Sequence, residues 1–366
     1  MDPRIQKHAD VLINYSLNLK ENETLMINAD ITSLPLAKAC YEYALKAGAH
    51  PKVRVGWGEI SELLIKKGSE EQLHFTHDLD ITAVNSFDAF LTLMGTQNTR
   101  SLSNVDPKRM QMFTRGRQEL QKLYFERLAS GKMRWCGTMF PTQANAQEAN
   151  MSLSEFEDFV YNACKLNEDD PVAAWKKVEV EQQKICDFLN KKSTLRIVAE
   201  DTDLSMKIAD RKWVNCSGKV NFPDGEVFTG PLEFSVEGHI RFSYPAIYQN
   251  REIEDVRLWF KDGKVIKATA EKGEDFLQRV LDTDEGSRYV GEIAIGTNYG
   301  ITNFVKHMLF DEKIGGTVHM ALGRSIPESK GINKSVIHWD MLCNMKNGGR
   351  IYADDELFYK DGKFII

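Results

Sequence analysis

The chain lacks the short motifs that would assign its chemistry directly. It contains no His-Glu-x-x-His segment, no Cys-x-x-Cys pair and no glycine-rich phosphate loop after a predicted strand. No apolar run approaches the roughly 20 residues that a membrane-spanning helix needs. The first residues also contain no apolar signal-peptide core. We therefore expect a cytoplasmic protein with no nucleotide-binding loop and no membrane partner.

The sequence also has fewer basic than acidic residues. The 47 Lys and Arg residues are outnumbered by 53 Asp and Glu residues, which leaves a net charge of −6. A nucleic-acid-binding surface is usually basic, so we expect no nucleic-acid partner. The six cysteines are scattered, which is typical of free thiols in a reducing compartment. Cys343 could in principle be a nucleophile, but no general-base pattern accompanies it.

The 366 residues are enough for two domains, and the pattern changes near residue 192. Before it, a helical pattern over 34–47 lies between short apolar runs at 23–29 and 51–55, and such a strand-helix-strand unit favours a parallel sheet. After it, the chain alternates in short strands separated by tight turns. We predict an α/β N-terminal domain with a parallel or mixed sheet over 1–192. A β-rich α+β domain is predicted over 193–366.

Further elements follow from the same apolar spacing and turn signals. Strands are predicted at 89–94 and 133–137, helices at 5–17, 107–131, 153–190 and 274–281, a further short helix within 298–309, and hairpin turns at Asp224-Gly225, Asp262-Gly263 and Asp361-Gly362.

An imidazole and a carboxylate lie two residues apart within the apolar segment 335–340. Side chains alternate along a strand, so His338 and Asp340 would point to one face while Ile337 and Trp339 point to the other. Both polar groups are good donors to divalent metals. The pair therefore predicts part of a metal site and makes the β-rich α+β domain a metal-binding domain. The remaining donors of such a site would lie upstream.

Three further donors occur in strand-like settings. His319 lies among small and apolar residues, Glu292 lies in an apolar run bounded by glycines, and Glu226 follows a Pro-Asp-Gly turn. The candidate metal ligands are thus Glu226, Glu292, His319, His338 and Asp340. Two histidines and three carboxylates suit zinc, cobalt or manganese better than calcium. Five donors exceed the three that one catalytic zinc usually takes, and they would suit two ions that share a carboxylate. A single Glu or His in a strand is more often a structural residue of a core or a sheet edge than a metal ligand.

The segments that contain these donors also carry a family resemblance. They read Asn-Phe-Pro-Asp-Gly-Glu-Val-Phe-Thr-Gly-Pro, Gly-Glu-Ile-Ala-Ile-Gly-Thr-Asn, Val-His-Met-Ala-Leu-Gly and Ile-His-Trp-Asp-Met. In this order they resemble the aminopeptidase T family of metallopeptidases, which includes the AmpS and PepS enzymes. The resemblance extends over the whole chain. It implies two divalent ions (zinc, cobalt, manganese or magnesium) held by the five candidates, peptide substrates that lose N-terminal residues, and a cytoplasmic homodimer.

Metal-assisted hydrolysis would give two of these residues a further role. Two ions would lower the pKa of a shared water, and one of them would polarise the scissile carbonyl. A carboxylate that is not saturated by metal would carry the proton from the water to the leaving amine. Glu292 is the first candidate for this catalytic role and Glu226 is the second.

One position departs from the family pattern. The family carries an active-site tyrosine ahead of a proline, whereas this chain has Ile326 before Pro327. Isoleucine can neither donate a hydrogen bond to an oxyanion nor contact a metal. Arg324 or Tyr244 could replace the phenol. The alternative function is a catalytically weakened or non-catalytic metal- or peptide-binding protein of the same fold, and a third is a one-metal, carboxylate-activated amidase.

Overall fold

In a computed structural model, which describes residues 2–249 and 251–366, the chain packs into two compact units. The first contains the residues up to Ala173 together with Gly218–Pro223, and the second contains Ala174–Ser217 with Asp224–Ile366. The predicted domain boundary after residue 192 stays a prediction. Among the described residues, no helix is both long enough and apolar enough to cross a membrane.

The first unit is built on a parallel sheet, as its strand-helix-strand pattern predicts. Its strands, in spatial order, are His50–Gly56, Thr24–Asp30, Ala89–Met94, Arg134–Met139 and Asn221–Phe222. The interior strands read as continuous apolar runs, and Leu25, Ile27 and Leu91 are fully buried. Continuous burial of this kind is expected when helices cover both faces of a parallel sheet.

Two of the predicted helices are each divided in the structure, so several helices of this unit are shorter than predicted. The helices of this unit are Pro3–Asp10, continued by a π-helix Val11–Ser16, and Leu34–Lys46, Gly58–Lys67, Glu70–His74, Asp78–Ser86, Pro107–Arg115, Gln118–Ala129, Gln143–Glu148 and Leu153–Ala163, with a 3₁₀ turn at Ile31–Ser33; Pro171–Leu189 leads into the second unit. The helix predicted over 107–131 is interrupted at Gly116, where an added Cβ would lie 2.6 Å from the backbone of His74. The helix predicted over 153–190 ends at Ala163, and Pro171 begins a new one, as proline favours the first helical turn.

The second unit is β-rich and antiparallel, as predicted. An eight-stranded sheet contains, in spatial order, Lys264–Thr269, Val256–Lys261, Glu237–Phe242, Thr202–Lys207, Thr194–Ala199, Arg350–Ala353, Glu356–Lys360 and Lys363–Phe364. A five-stranded sheet, here called the site sheet, contains His338–Asn344, Thr317–Gly323, Val290–Gly296, Glu226–Thr229 and Val214–Cys216. A ribbon (Ala246–Tyr248 with Arg251–Ile253), the helices Glu274–Leu281 and Met308–Asp311, and the 3₁₀ turns Glu285–Arg288 and Pro327–Ser329 also belong to it.

One local prediction for this unit is wrong. Asp224-Gly225 does not close a hairpin, because the strand before it belongs to the parallel sheet and the strand after it to the site sheet. The short helix predicted within 298–309 begins only at Met308, because side chains bind backbone groups of residues 298–307 that a helix would use. The carboxylate of Asp311 accepts hydrogen bonds from the backbone N–H groups of Val305 and His307 at 2.8 and 2.7 Å. The hairpin turns at Asp262 and Asp361 are confirmed.

Candidate metal centre

All five candidate donors lie on one face of the site sheet. Strand pairing places Glu292 opposite Ala321, and Ala321 in turn lies opposite Asp340. His338 pairs with Gly323, two residues further along the same neighbouring strand. His319 pairs with Ala294, and Glu226 pairs with Gly296. Because side chains alternate along each strand, these pairings send every donor to the same side.

The opposite face of the site sheet packs into the hydrophobic core. Its side chains belong to one cluster of buried apolar residues, which includes Ile293, Ile295, Val318, Met320, Leu322, Trp339, Met341 and Cys343. Trp339 is 1% exposed and its ring packs against that of Tyr248 at 5.3 Å between centroids. The alternation predicted for residues 337–340 is therefore confirmed. Apolar burial on one face thus fixes which side chains project from the other.

The donor atoms come close together. Nε2 of His319 lies 3.2 Å from Oε2 of Glu226 and 3.4 Å from Oε1 of Glu292. Nε2 of His338 lies 3.3 Å from Oδ2 of Asp340 and 3.8 Å from Oε2 of Glu292. Glu292 therefore stands between the two imidazoles and offers a different oxygen to each.

Several of these atoms are buried without a hydrogen-bond partner. They are Oε2 of Glu226, Oε2 of Glu292, both ring nitrogens of His319 and Oδ1 of Asp340. Buried polar atoms are normally paired, so such a group of orphans needs an explanation. Carboxylate oxygens and imidazole nitrogens that converge on one space are the donors that zinc and similar ions take. The residues therefore fit a metal-binding role.

The orientation of His338 fits the same role. Its Nδ1 lies 2.7 Å from the carbonyl oxygen of Arg324. If Nδ1–H donates this hydrogen bond, the neutral ring carries its lone pair on Nε2, which faces Asp340 and Glu292. A second hydrogen bond of this kind commonly fixes the tautomer of metal-binding histidines. Solvent reaches the centre on this side, because the side chains of His338 and Asp340 are 23% and 11% exposed.

The charges of the centre perturb one another strongly. Burial opposes the charged form of His338, but Asp340 outweighs it and raises the pKa of the imidazole to about 10. Burial would raise the pKa of Asp340, yet His338 lowers it to about 2. Burial opposes protonation of His319 as well, and Glu226 raises its pKa to about 9. Burial raises the pKa of Glu292. The negative charge of the carboxylates therefore favours positively charged groups at this centre.

Two residues of the centre, Glu312 and Lys313, are not predicted from the sequence. The ammonium of Lys313 lies 2.7 Å from Oε1 of Glu226, and it also contacts the carboxylate of Glu312. Glu312 in turn places an oxygen close to donor atoms of His319 and Asp340. Both residues follow the short helix Met308–Asp311, outside any alternating strand pattern. The only sequence signal is the acidic-basic run Asp-Glu-Lys, which is common on protein surfaces.

The residues considered as replacements for a phenol, Tyr244 and Arg324, have different surroundings. Tyr244 packs against Phe304, with ring centroids 5.5 Å apart. Arg324 is exposed, and its backbone carbonyl is the group that contacts His338. Ile326 is partly buried and precedes the 3₁₀ turn Pro327–Ser329. Its carbonyl accepts a hydrogen bond from the hydroxyl of Ser329 at 2.7 Å.

Comparison with known proteins decides the family. The family model described as thermophilic metalloprotease (M29) matches residues 1–364. The chain belongs to this M29 family. The predicted family and the predicted peptidase class are thereby confirmed.

Several aminopeptidases are similar to this M29 protein over nearly their whole length. It is 27% identical to Aminopeptidase 2 of Geobacillus stearothermophilus, with 93% of this chain and 92% of the relative covered. It is 25% identical to Aminopeptidase AmpS of Bacillus subtilis (strain 168), with 94% and 93% covered. The solved structure of wild-type AmpT from Thermus thermophilus superimposes with a TM-score of 0.89 at 23% identity and covers 100% of this chain and 99% of its own. That likeness confirms the predicted fold class.

Proposed function

We propose that this M29 protein is an aminopeptidase that releases N-terminal residues from peptides at a centre of two divalent ions. Family membership supports metal-dependent peptide hydrolysis, and the relatives named as aminopeptidases support the N-terminal specificity. The observation that carries the two-ion proposal is the position of Glu292. One of its oxygens faces His319 and the other faces His338, as a carboxylate shared by two ions would require.

The five donors divide naturally around this shared carboxylate. Glu226 and His319 would hold one ion and His338 and Asp340 would hold the other, with Glu292 available to either from its place between the two imidazoles. Zinc, cobalt, manganese and magnesium all remain candidates, with the two imidazoles favouring the first three. Bound ions would supply Lewis acidity and a water of lowered pKa.

The residues of the chain would then orient and move protons. Glu292 is buried beside both imidazoles, and it is our first candidate to take the proton of the attacking water and pass it to the leaving amine. Glu226 is the second candidate. It is less suited, because Lys313 already binds its Oε1. Substrate would approach past His338 and Asp340, where the centre is open to solvent.

Assembly and location belong to the same proposal. We propose a homodimer in the cytoplasm, and none of the six cysteines forms a disulfide in the described part of the chain, which suits a reducing compartment. Sedimentation of the purified chain tests the dimer. The alternative of a weakened or non-catalytic protein rests on Ile326 alone.

The proposed N-terminal specificity is tested with a matched pair of peptides. A peptide with a free α-amino group should be shortened one residue at a time from its N-terminus, while the same peptide acetylated at its N-terminus should stay intact. Glu292→Gln should abolish the cleavage, and Glu271→Gln, at an exposed position, should leave it unchanged. Internal cleavage of the acetylated peptide would contradict aminopeptidase activity. Failure to cleave either peptide in the metal-loaded protein would favour the non-catalytic alternative.

A further inference from the structure

Lys313 is a fully buried lysine at the edge of the metal centre. Its side chain is 1% exposed, and its ammonium lies 2.7 Å from Oε1 of Glu226 and 3.9 Å from Oδ1 of Asp224. It also contacts the carboxylate of Glu312. A lysine is almost never fully buried unless it is paired, and here three carboxylates surround one ammonium.

The surroundings of this ammonium resemble a metal site. Cys216, Asp224 and Glu226 each offer a ligand atom, and these three atoms lie within 4.8 Å of one another. Cys216 and Glu226 are paired on neighbouring strands, and Gly225 N–H donates a hydrogen bond to the Cys216 carbonyl. A thiolate and two carboxylates are suitable donors for zinc. This group shares Glu226 with the five-donor centre.

We propose that Lys313 is a positioning residue that serves as a resident cation of the centre. Its ammonium takes the place between Asp224, Glu226 and Glu312 that a metal ion would otherwise take, and it leaves Glu226 one oxygen for the catalytic ions. This inference rests on the proposed two-ion function for the role of Glu226. The exclusion of metal from the Cys216 side stands on the geometry of Lys313 itself.

The two carboxylate oxygens of Glu226 have different surroundings. Oε1 is bound by Lys313, whereas Oε2 is buried without a hydrogen-bond partner and faces His319. Because the ammonium is part of the chain, it supplies one positive charge to the cluster and cannot dissociate from the protein as a bound ion can. A free ion on the Cys216 side would instead compete for Glu226 and turn its Oε2 away from His319.

The test is a count of bound zinc in purified full-length variants, loaded with zinc and freed of excess. Lys313→Ala removes the charge and leaves space, so it should hold one more ion per chain than the native protein. Lys313→Arg keeps the charge and should hold the native number. Lys192→Ala removes another ion-paired lysine of the same unit and should also hold the native number. Adding Cys216→Ser to Lys313→Ala should remove the extra ion.

An unchanged zinc count in folded Lys313→Ala, checked by circular dichroism, would overturn the proposal. If that variant does not fold, anomalous diffraction from zinc-soaked crystals of the native protein decides. Zinc at the five donors and none bound to Cys216 supports the proposal, whereas zinc bound by Cys216 and Asp224 overturns it. A native protein that binds no zinc at all contradicts the two-ion function, but the gain of an ion by Lys313→Ala would still support the exclusion role.

Discussion

His319 and Glu226 meet across an intervening strand, with Nε2 of the histidine 3.2 Å from Oε2 of the glutamate. Their own strands are two apart in the site sheet, so their backbones are separated by roughly 10 Å. The strand between them presents Ala294 opposite His319 and Gly296 opposite Glu226. The small residues of the middle strand therefore provide the space in which the donors converge.

This relationship predicts that Ala294, whose side chain has no donor atom, influences the affinity of the centre for metal. Ala294→Leu would place a bulky side chain between the donors and should weaken metal affinity more than tenfold, as measured by competition with a chelator. Overpacking of this kind also costs about 1–3 kcal/mol of stability. Ile295→Leu, on the apolar face of the same strand, is the control for repacking and should keep native affinity. Equal affinities in the two variants would contradict the proposed position of the ions.

The alternation of residues 338–340 predicts opposite outcomes for neighbours. His338→Ala or Asp340→Ala should lower activity by orders of magnitude and reduce the metal content, because each removes a donor. Trp339→Phe should affect folding stability more than turnover, since Trp339 is buried on the other face. Activity, metal content and thermal melting are measured on all three variants. A folded Trp339→Phe protein with turnover as low as that of His338→Ala would show that the faces are assigned wrongly.

Ile326 predicts a slow enzyme. Loss of one oxyanion donor typically costs on the order of a hundredfold or more in kcat. Ile326→Tyr should therefore raise kcat with little change in KM, whereas Ile326→Phe, of similar size but without the hydroxyl, should not. If the native chain is already fast and both variants are harmed equally, another group must stabilise the oxyanion.

His8 predicts a pH dependence of stability away from the metal centre. It is fully buried, and its Nε2 lies 3.0 Å from the hydroxyl of Thr138. Burial lowers its pKa to about 3, whereas the unfolded chain has a histidine pKa of about 6.5. Between these values the unfolded state binds the extra proton, so the free energy of unfolding must fall as the pH falls.

The expected loss that His8 causes is about 2 kcal/mol between roughly pH 6.5 and pH 5. Urea unfolding of native protein and His8→Gln at both pH values measures it, because glutamine does not titrate. The native protein should lose more stability than His8→Gln. The exposed His50 provides the control, and His50→Gln should behave like the native protein. Parallel pH dependence in native protein and His8→Gln would contradict a neutral, buried His8.

The donors on strands could be predicted because alternation is a local property. Ile337 and Trp339 on either side of His338, and Ile293 after Glu292, are enough to indicate a face, and burial of Trp339 and Ile293 then confirms it. Lys313 and Glu312 could not be predicted in this way. They lie after a loop whose path depends on hydrogen bonds that the Asp311 carboxylate accepts from the backbone N–H groups of Val305 and His307, and no periodicity in the sequence indicates such a path.

Boundaries between elements failed for a related reason. The helical pattern over 107–131 is continuous in its apolar spacing, yet the chain breaks where Gly116 passes close to the backbone of His74. The turn at Asp224 has hairpin chemistry, yet the flanking strands belong to different sheets. In both cases a contact between residues distant in sequence overrides a sound local preference.

The most direct test of the account is a metal titration of metal-free protein, prepared by exhaustive chelation. Zinc, cobalt or manganese is added stepwise while cleavage of an aminoacyl reporter is followed and bound metal is counted. The two-ion account predicts no activity without metal and activity that saturates when two ions are bound per chain. Saturation at one ion would favour the one-metal amidase. Full activity in the metal-free protein would contradict the metal-dependent mechanism itself.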